Sequence, residues 1–256
     1  MTSPRLGYDI TGPDDADPLL LAGSIGTTRD MWAAQLPALS QRFRVVRIDH
    51  RGHGTSWTPP GPYTIADLGG DVLELLDALE LDRVHYCGLS LGGMVGMWLA
   101  ANAPQRIRRL ALLCTSAALN IDGSWENRAA TVRAQGMGPI LDAAPARWFT
   151  EDFRERRPAV VDDVLSMLRA TATEGYASCA DAIASMDLRA DLARIGVATL
   201  AIAGADDPAT PPEHLEEIAR RIPGARLEVD KDAAHLANVE HPDTVNRLLL
   251  EHFAEE

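Results

Sequence analysis

Cysteine is scarce in this chain of 256 residues, which carries only Cys87, Cys114 and Cys179. Their spacing fits no metal-binding pattern, and an odd number of thiols cannot pair completely into disulfides. The segment from Met1 to Pro13 also lacks the apolar core of a secretory signal. We therefore expect a cytoplasmic chain with free thiols and no metal centre.

Long hydrophobic runs and an excess of positive charge are also lacking. No stretch reaches the ~20 apolar residues that a membrane-spanning helix needs. The 24 lysines and arginines are outnumbered by 37 aspartates and glutamates, which gives a formal net charge of -13. Such a charge argues against nucleic acid and anionic membranes as partners. An anionic ligand would have to be bound by local cations.

Hydrophobic residues make up 46% of the chain and lie in short runs that alternate with helical patterns. Strands are predicted at 5–11, 18–22, 44–49, 83–87, 107–114, 197–203 and 226–229. Helices are predicted between and after them, at 31–40, 65–79, 93–101, 212–221 and 242–254. This alternation predicts the α/β class, with a mostly parallel, doubly wound sheet.

The alternation is interrupted once, from about residue 116 to residue 192, where the pattern is helical throughout. We expect this block to lie as a cap over the carboxyl ends of the strands, where α/β sheets bind ligands. The predicted organisation is a core of 1–115 and 193–256 with a helical cap of 116–192. Extra packing helices with no role at a site are the alternative.

The pentapeptide Gly88-Leu89-Ser90-Leu91-Gly92 stands between a predicted strand and a predicted helix. A serine with a glycine two residues before and two residues after it, at such a junction, is typical of a nucleophile elbow. The serine occupies a strained turn, and side chains at the glycine positions would collide with the neighbouring strand and helix. Ser90 is the predicted nucleophile.

A serine nucleophile needs a histidine as base and an acid that orients the histidine. Elbow hydrolases carry these groups in the chain order serine, acid, histidine. Of the seven histidines, only His235 follows a late predicted strand. Asp206 and Asp207 follow the preceding strand and compete for the acid role. Hydrolases of this kind usually place the acid three residues after the strand-ending glycine, which favours Asp207.

The other histidines have weaker claims. His53 follows an earlier strand and could approach the site, but its place in the chain order disfavours it as the base. The rest are interpreted as a packed or surface-facing strand residue (His85), an uninformative loop-edge residue (His50) and solvated helix residues (His214, His241 and His252).

An oxyanion hole needs two main-chain amides at the reacting carbonyl. Leu91, directly after the nucleophile, is expected to supply one. The other is expected from Ser24, in the small-residue loop that follows the strand at 18–22.

With these parts in place, the chain resembles the bacterial 3-oxoadipate enol-lactonases of the α/β-hydrolase superfamily over nearly its whole length. Some matching phrases identify only the superfamily, such as Arg51-Gly52-His53-Gly54 and the elbow itself. The more specific phrases lie in the predicted cap, because caps vary most with substrate. They are Arg147-Trp148-Phe149-Thr150, Glu174-Gly175-Tyr176-Ala177 and Met186-Asp187-Leu188-Arg189.

The resemblance implies a serine hydrolase that opens a small anionic enol-lactone in bacterial catabolism of aromatic compounds, without metal or organic cofactor. For the substrate carboxylate the first cap helix offers Trp125, Arg128 and Arg133, of which Trp125 and Arg128 share a face. The resemblance implies that Trp125 and Arg128 line the substrate pocket. A packing tryptophan and a solvated arginine are the alternative for these two positions.

The chain departs from its relatives in two places. It has Ala22-Gly23-Ser24-Ile25 where they usually have Ser-Asn-Ser-Leu, and His50 where they have threonine. These departures affect side-chain contacts near the oxyanion loop but not the triad. A cofactor-free perhydrolase or a general carboxylesterase would share the triad, and a non-catalytic ligand receptor on the same fold is a third alternative. A homo-oligomer is left open.

Overall fold

Seven strands form one sheet in the computed structural model, which describes residues 5–119 and 123–254. They are Tyr8–Thr11 (β1), Pro18–Ala22 (β2), Arg44–Ile48 (β3), Val84–Leu89 (β4), Ile107–Leu113 (β5), Thr199–Gly204 (β6) and Arg226–Asp230 (β7). The strand order is β1-β3-β2-β4-β5-β6-β7. Only the pairing of β1 with β3 is antiparallel. The predicted α/β class with a mostly parallel sheet is confirmed.

The α-helices within the described ranges follow the strands in the order that a doubly wound sheet requires. They are Leu36–Leu39 (α1), Ile65–Ala78 (α2), Leu91–Asn102 (α3), Ser124–Gln135 (α4), Gly138–Trp148 (α5), Glu151–Arg156 (α6), Pro158–Ala170 (α7), Thr173–Ala184 (α8), Pro212–Arg221 (α9), Ala237–Glu240 (α10) and Pro242–Ala254 (α11).

The single helix predicted at 31–40 is wrong. The chain forms a 3₁₀ helix at Arg29–Trp32 and then the separate short helix α1. Pro37 explains the break, because proline has no N–H to donate and its ring clashes with the carbonyl four residues earlier. Proline is well tolerated in the first turn of a helix, which is where α1 places it.

The central strands β4 and β6 are buried at every position. This is expected for inner strands of a parallel sheet with helices on both faces. The strands β2, β4, β6 and β7 are mutually parallel through the sheet and therefore end at the same edge. The loops that leave this edge carry all the residues predicted for the catalytic centre.

Helices α4 to α8 lie in the chain between β5 and β6 and are called the inserted helices (124–184) below. Arg133 of α4 joins α8 through ion pairs with Glu174 and Asp181, at 3.0 Å and 2.6 Å. The division of the chain at 116 and 192 stays a prediction. Within the predicted cap, residues 120–122 lie outside the described ranges.

No helix within residues 5–119 and 123–254 is long and apolar enough to cross a membrane. The same residues contain no cluster of three or more side chains that could hold a metal ion. Cys87, Cys114 and Cys179 are buried and not disulfide-bonded. The cytoplasmic location stays a prediction.

Candidate active site

Ser90 lies at the turn between β4 and α3, with φ of 56° and ψ of -115°. Positive φ is rare for residues other than glycine and marks local strain. The turn is tied to the neighbouring strand, since the Ser90 N–H donates to the Leu113 carbonyl at 2.9 Å. Thr115 Oγ1 donates to the Ser90 carbonyl at 2.7 Å. Hydrogen bonds to both its N–H and its carbonyl thus fix the backbone of Ser90.

Both glycines of the elbow are required by close backbone contacts. A Cβ atom on Gly88 would lie 2.2 Å from the Gly92 carbonyl oxygen, in the first turn of α3. A Cβ atom on Gly92 would lie 2.2 Å from the carbonyl oxygen of Ala22, at the end of β2. Since backbone atoms cannot move aside locally, no larger residue fits at either position.

Asp207 and His235 follow β6 and β7 and meet at the same edge of the sheet. His235 Nδ1 lies 2.8 Å from Asp207 Oδ2, and each residue is 3% exposed. Asp206, the rival candidate for the acid, is exposed. The structure therefore pairs Asp207 with His235.

Asp207 is held as an anion by its surroundings. Burial by itself would raise its pKa, but the charge and hydrogen bond of His235, together with hydrogen bonds from Thr210, lower the pKa to about 2. Thr210 Oγ1 donates to Oδ2 at 2.7 Å, while the N–H groups of Ala209 and Thr210 donate to Oδ1 at 2.8 Å and 3.0 Å. An ionised Asp207 accepts a hydrogen bond from the Nδ1–H group of His235 and leaves Nε2 as the basic nitrogen.

A cavity of about 350 Å³ opens where these loops meet. Ser24, Ser90 and His235 line it from the edge of the sheet. The inserted helices add aromatic and cationic side chains to the wall, among them Trp125, Arg128, Arg147, Trp148 and Tyr176. One cavity thus contains both the predicted nucleophile and base, Ser90 and His235, and the predicted cap pair, Trp125 and Arg128.

Two guanidinium groups belong to this cavity wall. The Arg128 guanidinium lies 4.2 Å above the Trp125 ring and hydrogen bonds to Tyr176. Partial burial and the charge of Arg128 together lower the pKa of Arg147. Two cations beside one cavity repel each other, and an anion bound there would relieve that repulsion.

The predicted oxyanion loop, residues 23–27, is hydrogen bonded to the elbow. The Gly23 carbonyl accepts the Gly92 N–H at 3.0 Å and lies 3.1 Å from His50 Nε2. The Ser24 N–H donates to Met31 Sδ at 3.3 Å. A thioether is a weak acceptor, so this bond leaves the amide available for exchange to a stronger one. The Leu91 N–H is in the first turn of α3, directly after Ser90.

Two buried histidines support this loop from below. His53 Nε2 accepts the Gly26 N–H at 2.8 Å, so Nδ1 carries the proton and donates to the Arg51 carbonyl at 3.1 Å. Burial lowers the pKa of His53, and burial together with His53 lowers the pKa of His50 to about 3. Both imidazoles are neutral near pH 7. His50, uninformative in the sequence, contacts the Gly23 carbonyl of the predicted oxyanion loop.

The solvated environment expected for His252 is wrong. This residue is 4% exposed, and its Nε2 lies 3.0 Å from the Leu110 carbonyl. His214 is half-buried, with Nδ1 2.7 Å from Ser116 Oγ. His85 is buried within the sheet, which is the packed one of the two environments left open for it.

Comparison with known proteins agrees with this architecture. The sequence profile of the α/β hydrolase fold matches residues 17–242. The chain belongs to the α/β-hydrolase family.

The relatives of this α/β-hydrolase include enol-lactonases. It is 40% identical over 241 residues to 3-oxoadipate enol-lactonase 2 of Acinetobacter baylyi, covering 94% of this chain and 90% of the relative. The crystal structure of the enol-lactonase from Burkholderia xenovorans superposes with a TM-score of 0.95 at 42% identity, covering 98% and 96% of the two chains. A putative carbamate hydrolase RutD of Stutzerimonas stutzeri is 31% identical over 264 residues, covering 97% of each chain. The resemblance to 3-oxoadipate enol-lactonases and the assignment as a hydrolase are confirmed.

Sequence reasoning did not assign Arg147 to the site, nor the cavity residues Trp148 and Tyr176. Arg147 lies near the C-terminus of α5, whereas the predicted pair Trp125 and Arg128 belongs to α4. The sequence did give one indication of its importance. Arg147 belongs to Arg147-Trp148-Phe149-Thr150, one of the cap segments that resemble the enol-lactonases. Only the packing of α5 over the sheet edge places Arg147 beside the same cavity.

Proposed function

We propose that this α/β-hydrolase opens 3-oxoadipate enol-lactone to 3-oxoadipate, with Ser90, His235 and Asp207 as its catalytic triad and Leu91 and Ser24 as oxyanion donors. The observation that carries the proposal is the pair of arginines, Arg128 and Arg147, in the wall of the cavity that contains Ser90 and His235. In a chain of net charge -13, two guanidiniums beside the nucleophile favour an anionic substrate. The enol-lactonase relatives support the lactone as that substrate.

Acylation begins when His235 Nε2 takes the proton of Ser90 Oγ. The oxygen attacks the lactone carbonyl, and the negative charge that develops is held by the N–H groups of Leu91 and Ser24. The Ser24 amide exchanges its weak bond to Met31 Sδ for this stronger acceptor. Asp207 stabilises the imidazolium that forms.

Ring opening then breaks the bond between the carbonyl carbon and the ring oxygen. That oxygen leaves as an enol, protonated by His235, and stays attached to the acyl-enzyme through the carbon chain. The enol tautomerises to a ketone, which removes the nucleophile that could close the ring again. Water, deprotonated by His235, attacks the acyl ester and releases Ser90 and the free carboxylate.

We propose that residues 116–192 act as a cap that supplies the substrate contacts. In this account Arg128 and Arg147 hold the substrate carboxylate, and Trp125 and Tyr176 pack around the ring. Arg128 is already oriented by its stacking on Trp125 and its bond to Tyr176. A preoriented guanidinium loses less side-chain entropy when it binds a carboxylate.

The test compares freshly prepared enol-lactone, followed by its ultraviolet absorbance, with the neutral ester 4-nitrophenyl butyrate. We expect kcat/KM for the lactone to exceed that for the ester by at least about 100-fold, equivalent to roughly 3 kcal/mol of additional transition-state binding. Equal values would favour a general carboxylesterase. No lactone hydrolysis above the uncatalysed rate would refute the proposed substrate.

A further inference from the structure

A buried carboxylate, Glu240, lies at the end of α10, five residues after His235. It is 7% exposed, and its oxygens accept three hydrogen bonds. Oε2 accepts from the Ala234 N–H at 2.5 Å. Oε1 accepts from the N–H and the Oγ1 of Thr150, at 2.8 Å and 2.9 Å. Burying a carboxylate is costly unless its acceptors are satisfied in this way, so these contacts hold both partners in place.

The two partners of Glu240 belong to two different chain segments that border the cavity, one through His235 and the other through Trp148. Ala234 directly precedes His235. Thr150 is the N-cap of α6, where its Oγ1 also accepts the Phe153 N–H at 3.3 Å. The Glu240 side chain therefore connects the histidine loop with the inserted helices.

A second bond joins the same two segments on the other side of His235. The Leu236 N–H donates to the Trp148 carbonyl at 3.0 Å. Trp148 follows Arg147, and both line the cavity with His235. Both chain neighbours of the histidine are thus hydrogen bonded to the segment that leads from Arg147 to Thr150, one directly and one through Glu240.

We propose that Glu240 is a positioning residue, which keeps His235 in register with the carboxylate-binding residues of the inserted helices. The proposal rests on the proposed function, because register matters only for a substrate held at both ends. An anionic substrate anchored at Arg147 presents its carbonyl at a fixed distance from that residue. The rate then depends on the distance from Arg147 to His235, because the histidine must lie at the carbonyl. A misplacement by about 1 Å can lower a rate by about 100-fold.

A small neutral ester provides the contrast. It has no carboxylate to bind Arg147. It can therefore shift within the cavity and still place its carbonyl at Ser90 and His235. Loss of Glu240 should therefore lower kcat more for an anionic ester than for a neutral ester with the same leaving group. A contribution to folding alone would lower the melting temperature and leave the ratio of the two kcat values unchanged.

Glu240→Gln is the informative variant. Its amide oxygen can still accept from Thr150, but the NH₂ group would then face the Ala234 N–H, donor against donor. Thr150→Val removes one donor from the other end of the link and keeps the main-chain N–H. Glu216→Gln, at an exposed position of α9, is the matched control for loss of a carboxylate.

The experiment measures kcat for 4-nitrophenyl hydrogen succinate and 4-nitrophenyl butyrate, with melting temperatures for each variant. For Glu240→Gln we expect kcat for the succinate ester to fall by about 10-fold or more and that for the butyrate ester by less than about 3-fold. Thr150→Val should lower the ratio of kcat for the succinate ester to kcat for the butyrate ester, by a smaller factor. If Glu240→Gln does not fold, Thr150→Val provides the test. Glu216→Gln should match the wild type.

An equal loss on both esters, or an unchanged ratio with only a lower melting temperature, would overturn the role of Glu240. A wild-type protein that hydrolyses no anionic ester would overturn it as well. Neither aryl ester contains the enol-lactone ring. If the enol-lactone is not the substrate, the enol-lactone assay will show it, and the two aryl esters can still be compared.

Discussion

Asp207 Oδ2 lies 2.8 Å from His235 Nδ1, although the two residues are 28 positions apart in the chain. The contact arises because β6 and β7 are parallel neighbours and each residue lies in the loop after its strand. The pair is buried beneath the cavity. Its geometry fixes the orientation of the imidazole, and the first two predictions depend on it.

Replacing Asp207 with asparagine should nearly abolish turnover while preserving the fold. An amide can donate to Nδ1, which favours the wrong tautomer and removes the charge that stabilises the imidazolium. The expected loss of kcat on the lactone is on the order of 10⁴-fold. Asp206→Asn, at the exposed neighbouring position, should retain activity near the wild-type level. If Asp206→Asn lost turnover and Asp207→Asn kept it, the acid role would belong to Asp206.

The same carboxylate should make stability depend on pH in acid. The pKa of Asp207 is lowered from 3.8 to about 2 in the folded state, so the stabilisation is complete above about pH 4 and is lost as pH falls through 2. This shift corresponds to about 2 kcal/mol in the free energy of unfolding. Urea unfolding should show the wild type losing that much more than Asp207→Asn between pH 5 and pH 2. Parallel losses in the two proteins would contradict the assignment.

Gly92→Ala should destabilise the protein strongly. The new Cβ would lie 2.2 Å from the Ala22 carbonyl oxygen, so β2 or α3 must shift. Overpacking of this kind costs about 3 kcal/mol, measurable by urea unfolding. The matched control is Gly70→Ala in α2, where a Cβ has no neighbour within 4 Å. That change should stabilise by up to about 1 kcal/mol. Equal effects at the two glycines would show that the elbow contact is relaxed in solution.

Arg147→Gln should raise KM for the anionic lactone by about 10-fold or more, because a charge-assisted hydrogen bond is worth roughly 1.5–3 kcal/mol. KM for 4-nitrophenyl butyrate should change little, since this ester has no carboxylate. Arg169→Gln is the control for loss of a positive charge, because Arg169 is exposed on α7 and pairs with Asp162. If Arg147→Gln raised both KM values equally, Arg147 would be a packing residue and not a carboxylate ligand.

The parts of the site that sequence could predict are those with local causes. The glycines around Ser90 follow from one tight turn. The strand ends before Asp207 and His235 follow from short runs with strand-forming residues, buried in β6 and partly exposed in β7. Pro37 shows the limit even for local patterns, because the apolar spacing predicted one helix where proline divides it into two.

The parts that sequence could not predict depend on contacts between distant segments. Arg147 reaches the cavity only through the packing of α5, and His50 contacts the Gly23 carbonyl only because β2 and β3 are neighbours in the sheet. Glu240 looks like an ordinary acidic residue near a helix end, and its three bonds appear only when Thr150 is brought to it. No local pattern encodes such contacts.

The most direct test of the account is the intact mass of the enzyme, quenched during turnover of the enol-lactone. Since the leaving enol stays attached through the ring carbons, the acyl-enzyme should be heavier than the free enzyme by the whole mass of the lactone. The adduct should map to the peptide that contains Ser90, and Ser90→Ala should show neither adduct nor turnover. Undiminished lactone hydrolysis by a folded Ser90→Ala variant would contradict the account.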